Sequence, residues 1–371
     1  MQKATREQTK NHNKTLILNT IYQSAELIVE GLVTETGFGK SAGGKPPLLL
    51  TLVDDSRQII GIDLASGEFR GVLVDLRGKI QERINVSIEE RSGVQALEFV
   101  YDLIDQLISR STRSILGIGI GAPGLMDSDH GVVVTAVNLD WEELPLATLL
   151  QQRYRLPVYI ANDSQISALA EYKFGTSENA PNLLVVKIGR GVGSGIMINN
   201  LLYQGDSFGA GEIGHIKVEE NGIQCRCGNY GCLETRISSR AIRYFAAQYA
   251  AKHPESILNQ ISASSSLTTE DVLAAYQADE QEIVDYIQEA GRLLGHALSF
   301  IVSTLNINTI VIAGSVSIFG SGIIEPALES LQNSTLPALS KEVKMTISPL
   351  GEEIVILGAA GLVLRSELGI L

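Results

Sequence analysis

Past residue 46 the chain is organised in short apolar runs separated by Gly, Ser and Asp, a pattern typical of β-strands. Three runs predict strands over Gln58–Leu64, Phe69–Asp75 and Lys79–Val86, with connections so short that the strands should be antiparallel neighbours. A helix is predicted over Gly93–Arg110, followed by a strand over Ser114–Gly121. The helix has one apolar face, formed by Leu97, Val100, Leu103, Ile104, Leu107 and Ile108.

The same outline returns in the second half of the chain. Leu183–Ile188, Ser194–Ile198 and Leu201–Gln204 are again closely spaced apolar runs. The repetition predicts two similar α/β lobes with a cleft between them. Ligands in such folds bind where loops from both lobes meet.

The 371-residue chain has a net charge of −13 that is unevenly distributed. Its first 46 residues hold six Lys and Arg against four Asp and Glu, so this head is +2 and the remainder is −15. A basic head on an acidic body is typical of a DNA-contacting segment before a ligand-binding domain, although a solvated terminus is the alternative. No apolar run reaches the roughly 18 residues of a membrane span, and the N-terminus has no apolar signal core. We therefore expect a cytoplasmic protein with no membrane partner.

Three cysteines, all within eight residues, are the clearest sign of a metal site. Cys225, Cys227 and Cys232 lie on a Gly-rich segment, and His215 precedes the first of them by ten residues. Three thiolates and an imidazole fit a closed tetrahedral Zn²⁺ site, which has no open position and should be structural. Three reduced cysteines and a hydrogen-bonded histidine are the alternative.

Around this cluster the sequence resembles the ROK family (repressors, open reading frames and sugar kinases). Glu212-Ile-Gly-His215-Ile, followed by Cys225-x-Cys227-Gly-x-x-Gly-Cys232-Leu-Glu234, is similar to the family's hallmark. Further motifs stand in the expected order along nearly the whole chain: Gly121-Ala-Pro-Gly124-Leu-Met-Asp127, Val137-Asn138-Leu-Asp-Trp141, Asn162-Asp163 and Gly189-x-Gly191-x-Gly193-x-Gly195.

The resemblance implies an α/β, actin-like (ribonuclease H-like) two-lobed sugar-kinase fold with a small N-terminal winged-helix remnant. Residues 1–46 would form the remnant and its linker. Residues 47–166 together with 350–371 would form the first lobe, and residues 167–349 the second lobe with the zinc loop. A homodimer or a homotetramer is also expected from the resemblance.

A sugar pocket in the cleft follows from the same resemblance. A hexose presents a ring of hydroxyl groups, and carboxylates and amides pair with such groups. His215 could bind zinc through one ring nitrogen and offer the other to a sugar hydroxyl. In the family's kinases the aspartate at the place of Asp163 takes the proton from the attacking sugar hydroxyl. The implied sugar-binding residues are Asn138, Asn162, Asp163, Glu212, His215 and Glu234.

The loops that would hold ATP and Mg²⁺ depart from the kinase pattern. In ROK kinases the first phosphate loop reads Asp-x-Gly-Gly-Thr, whereas this chain keeps Asp63 but displaces the glycines and places Glu68 nearby, where its charge should repel a nucleotide. Arg190 replaces the usual threonine of the second loop. If the chain is a kinase, its nucleotide-binding residues would be Asp63, Gly189, Gly191, Gly193 and Gly314.

The head indicates a regulator. Residues 11–21 resemble the first helix of the winged helix-turn-helix in ROK repressors, and a hairpin over Leu32–Gly37 resembles its wing. Between Ser24 and Glu30 only five residues remain, so the second helix and most of the recognition helix are missing.

We therefore expect a sugar-responsive transcriptional regulator, most simply a repressor, that binds a monosaccharide or its phosphate and a DNA operator. An ATP-dependent sugar kinase, or a sugar-binding protein that has lost DNA binding, are the alternatives.

Overall fold

The computed structural model describes residues 31–38, 48–65, 67–88, 91–177, 180–261 and 267–369. The residues predicted to form the first helix of the head lie outside the described part. The described strands are β1 (Val33–Phe38), β2 (Leu48–Leu52), β3 (Gln58–Asp63), β4 (Glu68–Val74), β5 (Ile80–Ser87), β6 (Ile115–Ala122), β7 (Leu125–Asp127), β8 (Val132–Ala136), β9 (Trp141–Leu144), β10 (Val158–Asn162), β11 (Leu183–Ile188), β12 (Val192–Ile198), β13 (Leu201–Tyr203), β14 (Thr309–Ala313) and β15 (Lys344–Ile347).

The described helices include several that cover the outer faces of the sheets and two that lie between the sheets. They are α1 (Gly93–Arg110), α2 (Leu146–Tyr154), α3 (Asp163–Phe174), α4 (Glu234–Ile237), α5 (Ser239–Lys252), α6 (Leu258–Ile261), α7 (Thr269–Gln277), α8 (Gln281–Leu305), α9 (Ser321–Ser334), α10 (Pro337–Ser340) and α11 (Ile354–Leu368). Among them, none combines the length and the hydropathy needed to cross a lipid bilayer.

Two five-stranded sheets with the same topology confirm the predicted α/β class. The first has the order β10-β6-β3-β4-β5, and the second, read from its far edge, has the equivalent order β15-β14-β11-β12-β13. In each, the first three strands in sequence form an antiparallel meander and the last two join in parallel. The predicted helix Gly93–Arg110 and strand Leu183–Ile188 have these bounds in the structure, and the other predicted strands shift by one or two residues.

Two small sheets lie outside this predicted outline. Strands β7, β8 and β9 form a three-stranded sheet that the sequence analysis missed. β1 occupies the predicted wing and pairs antiparallel with β2, so this ribbon straddles the predicted boundary at residue 46. Leu32, at the start of the ribbon, is buried in the core shared by both large sheets.

The central core lies between the two sheets and determines where the cleft opens. Helices α3 and α11 pack there against each other and against residues of both sheets, including Ile59 and Val185. Helix α11 is buried along most of its length, and the buried part of its sequence is accordingly apolar on all sides. It can approach β6 closely because Gly119 has no side chain: a Cβ at this position would lie 1.9 Å from the carbonyl oxygen of Ala359.

We predict that Gly119→Ala lowers stability by about 1–3 kcal/mol or more, because a methyl group at this position must displace helix backbone. Urea denaturation followed by circular dichroism measures the effect. Gly189→Ala is the control, since a Cβ at residue 189 meets no atom within 4 Å. Equal stability of the two variants would show that α11 does not sit on β6 as described.

Candidate functional site

A cavity of about 470 Å³ opens between the two sheets, at the carboxyl ends of their parallel strands. Asp63 ends β3, Asn162 ends β10 and Gly314 follows β14, and all three line the cavity. This is the place where ligands bind in α/β sheets. Every sequence-predicted sugar residue also lines it: Asn138, Asn162, Asp163, Glu212, His215 and Glu234.

Asn162 joins the first sheet to helix α3 as the N-cap of that helix. Its side-chain Oδ1 accepts hydrogen bonds from the backbone N–H groups of Ser164 and Gln165, at 2.9 and 3.0 Å. Its Nδ2 donates to the Gly124 carbonyl at 2.8 Å. The amide therefore fixes the start of α3, and with it the position of Asp163, in addition to lining the cavity.

Asp163, the first residue of α3, forms an ion pair with Lys187 across the floor of the cavity. Lys187 Nζ lies 2.6 Å from Asp163 Oδ2, and the two side chains are only 21% and 13% exposed. Asp163 Oδ1 also accepts a hydrogen bond from Ser164 Oγ at 3.2 Å. Burial lowers the pKa of Lys187, but the carboxylates of Asp163 and Asp63 outweigh this and leave the pKa above its usual value. Lys187 is therefore charged in the folded protein.

Asp63 lies beside this pair and accepts a hydrogen bond from the Ala65 backbone, but it has no ion-pair partner among the described residues. It is 5% exposed, and its Oδ1 has no hydrogen-bond partner within the described residues. Burial raises the pKa of Asp63 to about 7; Asp163 adds to the rise, and Lys187 and Arg70 oppose it. The floor of the cavity thus holds two carboxyl groups around one ammonium group.

The sequence analysis missed Lys187. The available signal was a single lysine inside the apolar strand Leu183–Ile188, directly before the Gly-rich loop. Lysine is almost never buried without a partner, but sequence alone does not identify that partner in the other lobe.

The predicted zinc ligands come together at one side of the cavity. The four ligand atoms of His215, Cys225, Cys227 and Cys232 lie within 4.8 Å of one another. Cys225 Sγ is 3.6 Å from His215 Nδ1, and Cys227 Sγ is 3.7 Å from Cys232 Sγ. Tetrahedral Zn²⁺ with Zn–S of about 2.3 Å and Zn–N of about 2.0 Å separates its ligand atoms by about 3.5–3.8 Å. The donor set therefore fits zinc.

The predicted zinc loop depends on two glycines. Gly228 and Gly231 have φ of +91° and +75°, and a Cβ at residue 231 would lie 1.9 Å from the Glu219 carbonyl oxygen. The backbone N–H of Asn229 lowers the pKa of Cys227 to about 7, which favours the thiolate that zinc requires.

Glu212 and Glu234 flank the zinc cluster on its cavity side. His215 turns Nδ1 towards Cys225, and its Nε2 lies 3.7 Å from Glu212 Oε2. Burial raises the pKa of Glu212. Glu234 Oε2 accepts the Val192 backbone N–H at 2.8 Å. Its other oxygen and those of Glu212 remain available as acceptors for ligand hydroxyl groups, a role that stays a prediction.

Asn138 reaches the zinc loop from the opposite lobe. It lies on a short 3₁₀ turn, Val137–Leu139, and its Oδ1 accepts a hydrogen bond from Arg226 Nη1 at 3.1 Å. Along the chain, Arg226 lies between the predicted zinc ligands Cys225 and Cys227. Its guanidinium group therefore connects the predicted metal cluster to the predicted sugar-binding residue Asn138.

The glycines of the predicted nucleotide loop line the cavity, but packing accounts for most of them. A Cβ at Gly191 would lie 2.8 Å from Glu234 Oε2, and one at Gly193 would lie 2.5 Å from Ser164 Oγ. At Gly314 a Cβ would lie 2.5 Å from the Ile188 carbonyl oxygen. Gly189 is the exception, with open space at its Cβ position. Close packing therefore accounts for glycine at residues 193 and 314 with no phosphate present, whereas a Cβ at residue 191 would meet only the flexible end of the Glu234 side chain.

Glu68, which the sequence analysis expects to repel a nucleotide, lines the cavity and forms an ion pair. Glu68 forms an ion pair with Arg70 at 2.9 Å, and Arg70 also pairs with Glu352 at 3.0 Å. One guanidinium group thus faces two carboxylates and a net negative charge remains, so repulsion of a nucleotide by Glu68 stays a prediction. The sequence analysis missed the contact between Arg70 and Glu352 because the two residues are remote in sequence.

Comparisons with known proteins give one consistent family. The model of the ROK family matches residues 59–366. The chain is 32% identical to a xylose repressor of Caldicellulosiruptor bescii over 96% of this chain and 90% of that protein. It is also 32% identical to a glucokinase of Halalkalibacterium halodurans, over 84% of this chain and 96% of that protein. A crystal structure of a ROK family transcriptional regulator, a homologue of the E. coli MLC protein, superposes with a TM-score of 0.81 and 28% identity over 92% of this chain and 86% of that one.

We predict that Cys227→Ser reduces the bound zinc from about one ion per chain to a small fraction of that. Loss of a structural site should cost about 2 kcal/mol or more, which lowers the Tm of a 371-residue chain by about 2–3 °C or more. Metal analysis by mass spectrometry and thermal unfolding measure both effects. Tyr230→Phe, in an exposed residue of the same loop, should leave them unchanged. Full stability of a zinc-free Cys227→Ser protein would contradict a structural role.

We also predict a pH-dependent gain in stability for Asp63→Asn. Because the pKa of Asp63 is about 7 in the folded protein, above the usual 3.8 of an aspartate, the native state favours the protonated form. The contribution of protonated Asp63 to the free energy of unfolding is complete below about pH 4 and is lost as the pH rises through 7. Relative to the wild type, the free energy of unfolding of the variant should therefore rise by up to about 1.4 kcal/mol per pH unit between about pH 4 and 7.

Urea denaturation between pH 4 and 8 measures this difference. Asp206→Asn, at an exposed position, controls for the loss of one negative charge. A constant difference between Asp63→Asn and wild type across the range would show that Asp63 ionises normally.

Proposed function

The chain belongs to the ROK family, and on that premise we propose that it is a sugar-responsive transcriptional regulator, a repressor, that binds its sugar in the cavity between the two sheets. The match to the xylose repressor supports this, because it covers 96% of the chain, whereas the glucokinase match covers 84%. Such a protein would act in the cytoplasm as a homodimer or homotetramer with DNA as its second partner.

The single observation that carries the proposal is the Lys187–Asp163 ion pair. In a sugar kinase the residue at the position of Asp163 must accept a proton from the substrate hydroxyl. Here Oδ2 accepts the Lys187 ammonium at 2.6 Å and Oδ1 accepts Ser164 Oγ at 3.2 Å. The ammonium and the Ser164 hydroxyl occupy one acceptor position on each oxygen, so a sugar hydroxyl would have to compete with them for this carboxylate. This favours sugar binding without turnover.

Recognition of the sugar would use the groups that remain available on the cavity wall. Glu212 and the free oxygen of Glu234 can accept hydroxyl protons, and Asn138 reaches in from the first lobe. Zinc, when bound, would hold His215 through Nδ1 and so fix its tautomer. Nε2–H could then donate to Glu212 or to a ligand.

A sugar that touches both lobes can change their relative orientation. Asn138 and Asn162 belong to the segments before α3, whereas Glu212 and Glu234 belong to the segments after it. Signalling to DNA requires that the sugar bind one arrangement of the lobes more tightly than the other. In a repressor, the arrangement that the sugar favours would be the one that binds DNA less well.

The second candidate, a sugar kinase, has the support of the glucokinase relative and of Asp63 and Asp163 in the cavity. A third, a sugar-binding protein without DNA binding, follows from the short segment between Ser24 and Glu30. The following experiment separates the first proposal from the third.

We predict that a sugar which stabilises the zinc-loaded protein in a thermal-shift screen also weakens its binding to DNA. Fluorescence anisotropy with fragments from upstream of its own gene measures this, across hexoses, amino sugars and pentoses. Glu212→Gln should raise the sugar concentration needed for release by about tenfold, because a charged hydrogen-bond acceptor is lost. The DNA affinity without sugar should stay unchanged.

Asp127→Asn is the matched control, since Asp127 accepts hydrogen bonds from the His130 backbone and ring outside the cavity. Sugar binding with no DNA binding would favour the third candidate. No stabilisation by any sugar would contradict the cavity assignment.

A further inference from the structure

The three cysteines of the predicted zinc cluster differ in their access to solvent. Cys225 and Cys232 are buried, with exposed fractions of 5% and 0%, whereas Cys227 is exposed and lines the cavity. Oxidation of a cysteine depends on its exposure and on its thiolate character, and a sulfur that binds zinc is a thiolate. A small oxidant that enters the cavity therefore reaches Cys227 before the other two sulfur ligands.

Cys232 places a second sulfur atom next to the exposed one. Its Sγ lies 3.7 Å from Cys227 Sγ. A disulfide needs about 2.0 Å, so the two sulfur atoms would have to approach each other by about 1.7 Å. Gly228 follows Cys227 directly and has open space at its Cβ position. The backbone beside Cys227 can therefore shift over this distance without meeting a neighbouring atom at residue 228.

The backbone holds the two cysteines differently. Cys232 forms an antiparallel bridge with Lys217, and its carbonyl accepts the Thr235 hydroxyl at 2.7 Å. Cys227 lies on a tight turn that is closed by a hydrogen bond from the Gly228 N–H to the Cys225 carbonyl at 2.9 Å. We therefore expect the Cys227 side of the pair to move, towards a sulfur atom whose position the fold fixes.

We propose that Cys227 is an oxidation site for hydrogen peroxide, and that the disulfide it then forms with Cys232 releases the zinc ion. The metal would lose two of its four ligands in this step. His215 and Cys225 alone do not complete a tetrahedral site, so the remaining affinity for zinc would be low.

The reaction balances with peroxide as the only oxidant. The Cys227 thiolate attacks one peroxide oxygen, the O–O bond breaks, and a sulfenic acid and hydroxide result. The Cys232 thiolate then attacks the Cys227 sulfur, so that the S–S bond forms and the S–O bond breaks with loss of a second hydroxide. Two thiolates lose two electrons in total, and the peroxide takes up two protons from solvent to leave as two water molecules.

Oxidation would change the cavity as well as the metal site. His215 and Glu234 border the cluster and line the cavity, and the zinc ion would hold His215 in place. Loss of the metal would free the His215 ring and the turn that carries Arg226. The redox state of Cys227 would thus determine whether this wall of the cavity is ordered.

Hydrogen peroxide added to the zinc-loaded full chain tests the proposal. A chromogenic zinc chelator in the same solution follows release of the metal, and mass spectrometry of the digested protein identifies the disulfide. We expect loss of about one zinc ion per chain, in step with a disulfide between Cys227 and Cys232. Dithiothreitol and added zinc should restore the thiols and the bound metal. The chelator without peroxide should leave all three thiols reduced.

Two variants separate the roles of the cysteines. Cys232→Ser removes the partner, so a sulfenic acid at Cys227 should persist and be trapped by dimedone. Cys225→Ser is the matched control, because it also removes one zinc ligand but keeps both sulfur atoms of the disulfide, which should still form. The loop stays closed without zinc through backbone bonds such as that from the Leu233 N–H to the Ile216 carbonyl at 2.9 Å.

Four results would overturn the inference. Zinc that stays bound in peroxide sufficient to oxidise free glutathione would exclude the reaction. First modification at Cys225 or Cys232 would exclude attack from the cavity. Rapid disulfide formation in Cys232→Ser would show that Cys225 is the partner. Zinc loss that dithiothreitol does not reverse would show irreversible damage. Each would leave the regulator proposal intact, because sugar and DNA binding are measured on the reduced, zinc-loaded protein.

Discussion

The ion pair between Lys187 and Asp163 is the constraint on which the rest of the cavity depends. Lys187 comes from a strand of the second sheet, and Asp163 from the helix that follows the last strand of the first sheet. Removing one member of a buried pair leaves the other charge without compensation, which is strongly destabilising. The pair therefore fixes both lobes at the floor of the cleft. It also occupies one acceptor position on the carboxylate that a phosphoryl-transfer base would use.

The predicted zinc loop forms another wall of the same cavity. The segment from residue 215 to residue 234 presents His215, Arg226, Cys227 and Glu234 to the cavity, while Cys225 and Cys232 are buried. Four protein ligands would leave zinc no open coordination position, so the metal would act by holding these side chains in place.

Local features of the site could be predicted from sequence, and features that depend on remote partners could not. The zinc ligands lie within 18 residues, so their spacing alone predicted a cluster. The Lys187–Asp163 pair joins different lobes. Arg70, which pairs with Glu68, also binds Glu352, 282 residues further along the chain. The glycines around residue 191 resemble a phosphate loop, yet close packing against Glu234 and α3 explains them equally well. The strands of the small three-stranded sheet are too short for a periodic signal.

The most direct test of this account is a coupled ADP-release assay with the zinc-loaded wild-type protein, Mg-ATP and hexoses, amino sugars and pentoses. If the ion pair has closed the phosphoryl-transfer site, no sugar will raise ADP release above the sugar-free background, although one sugar or sugar phosphate will bind. Steady turnover with any neutral sugar would contradict the account, because Asp163 would then be acting as the base despite Lys187.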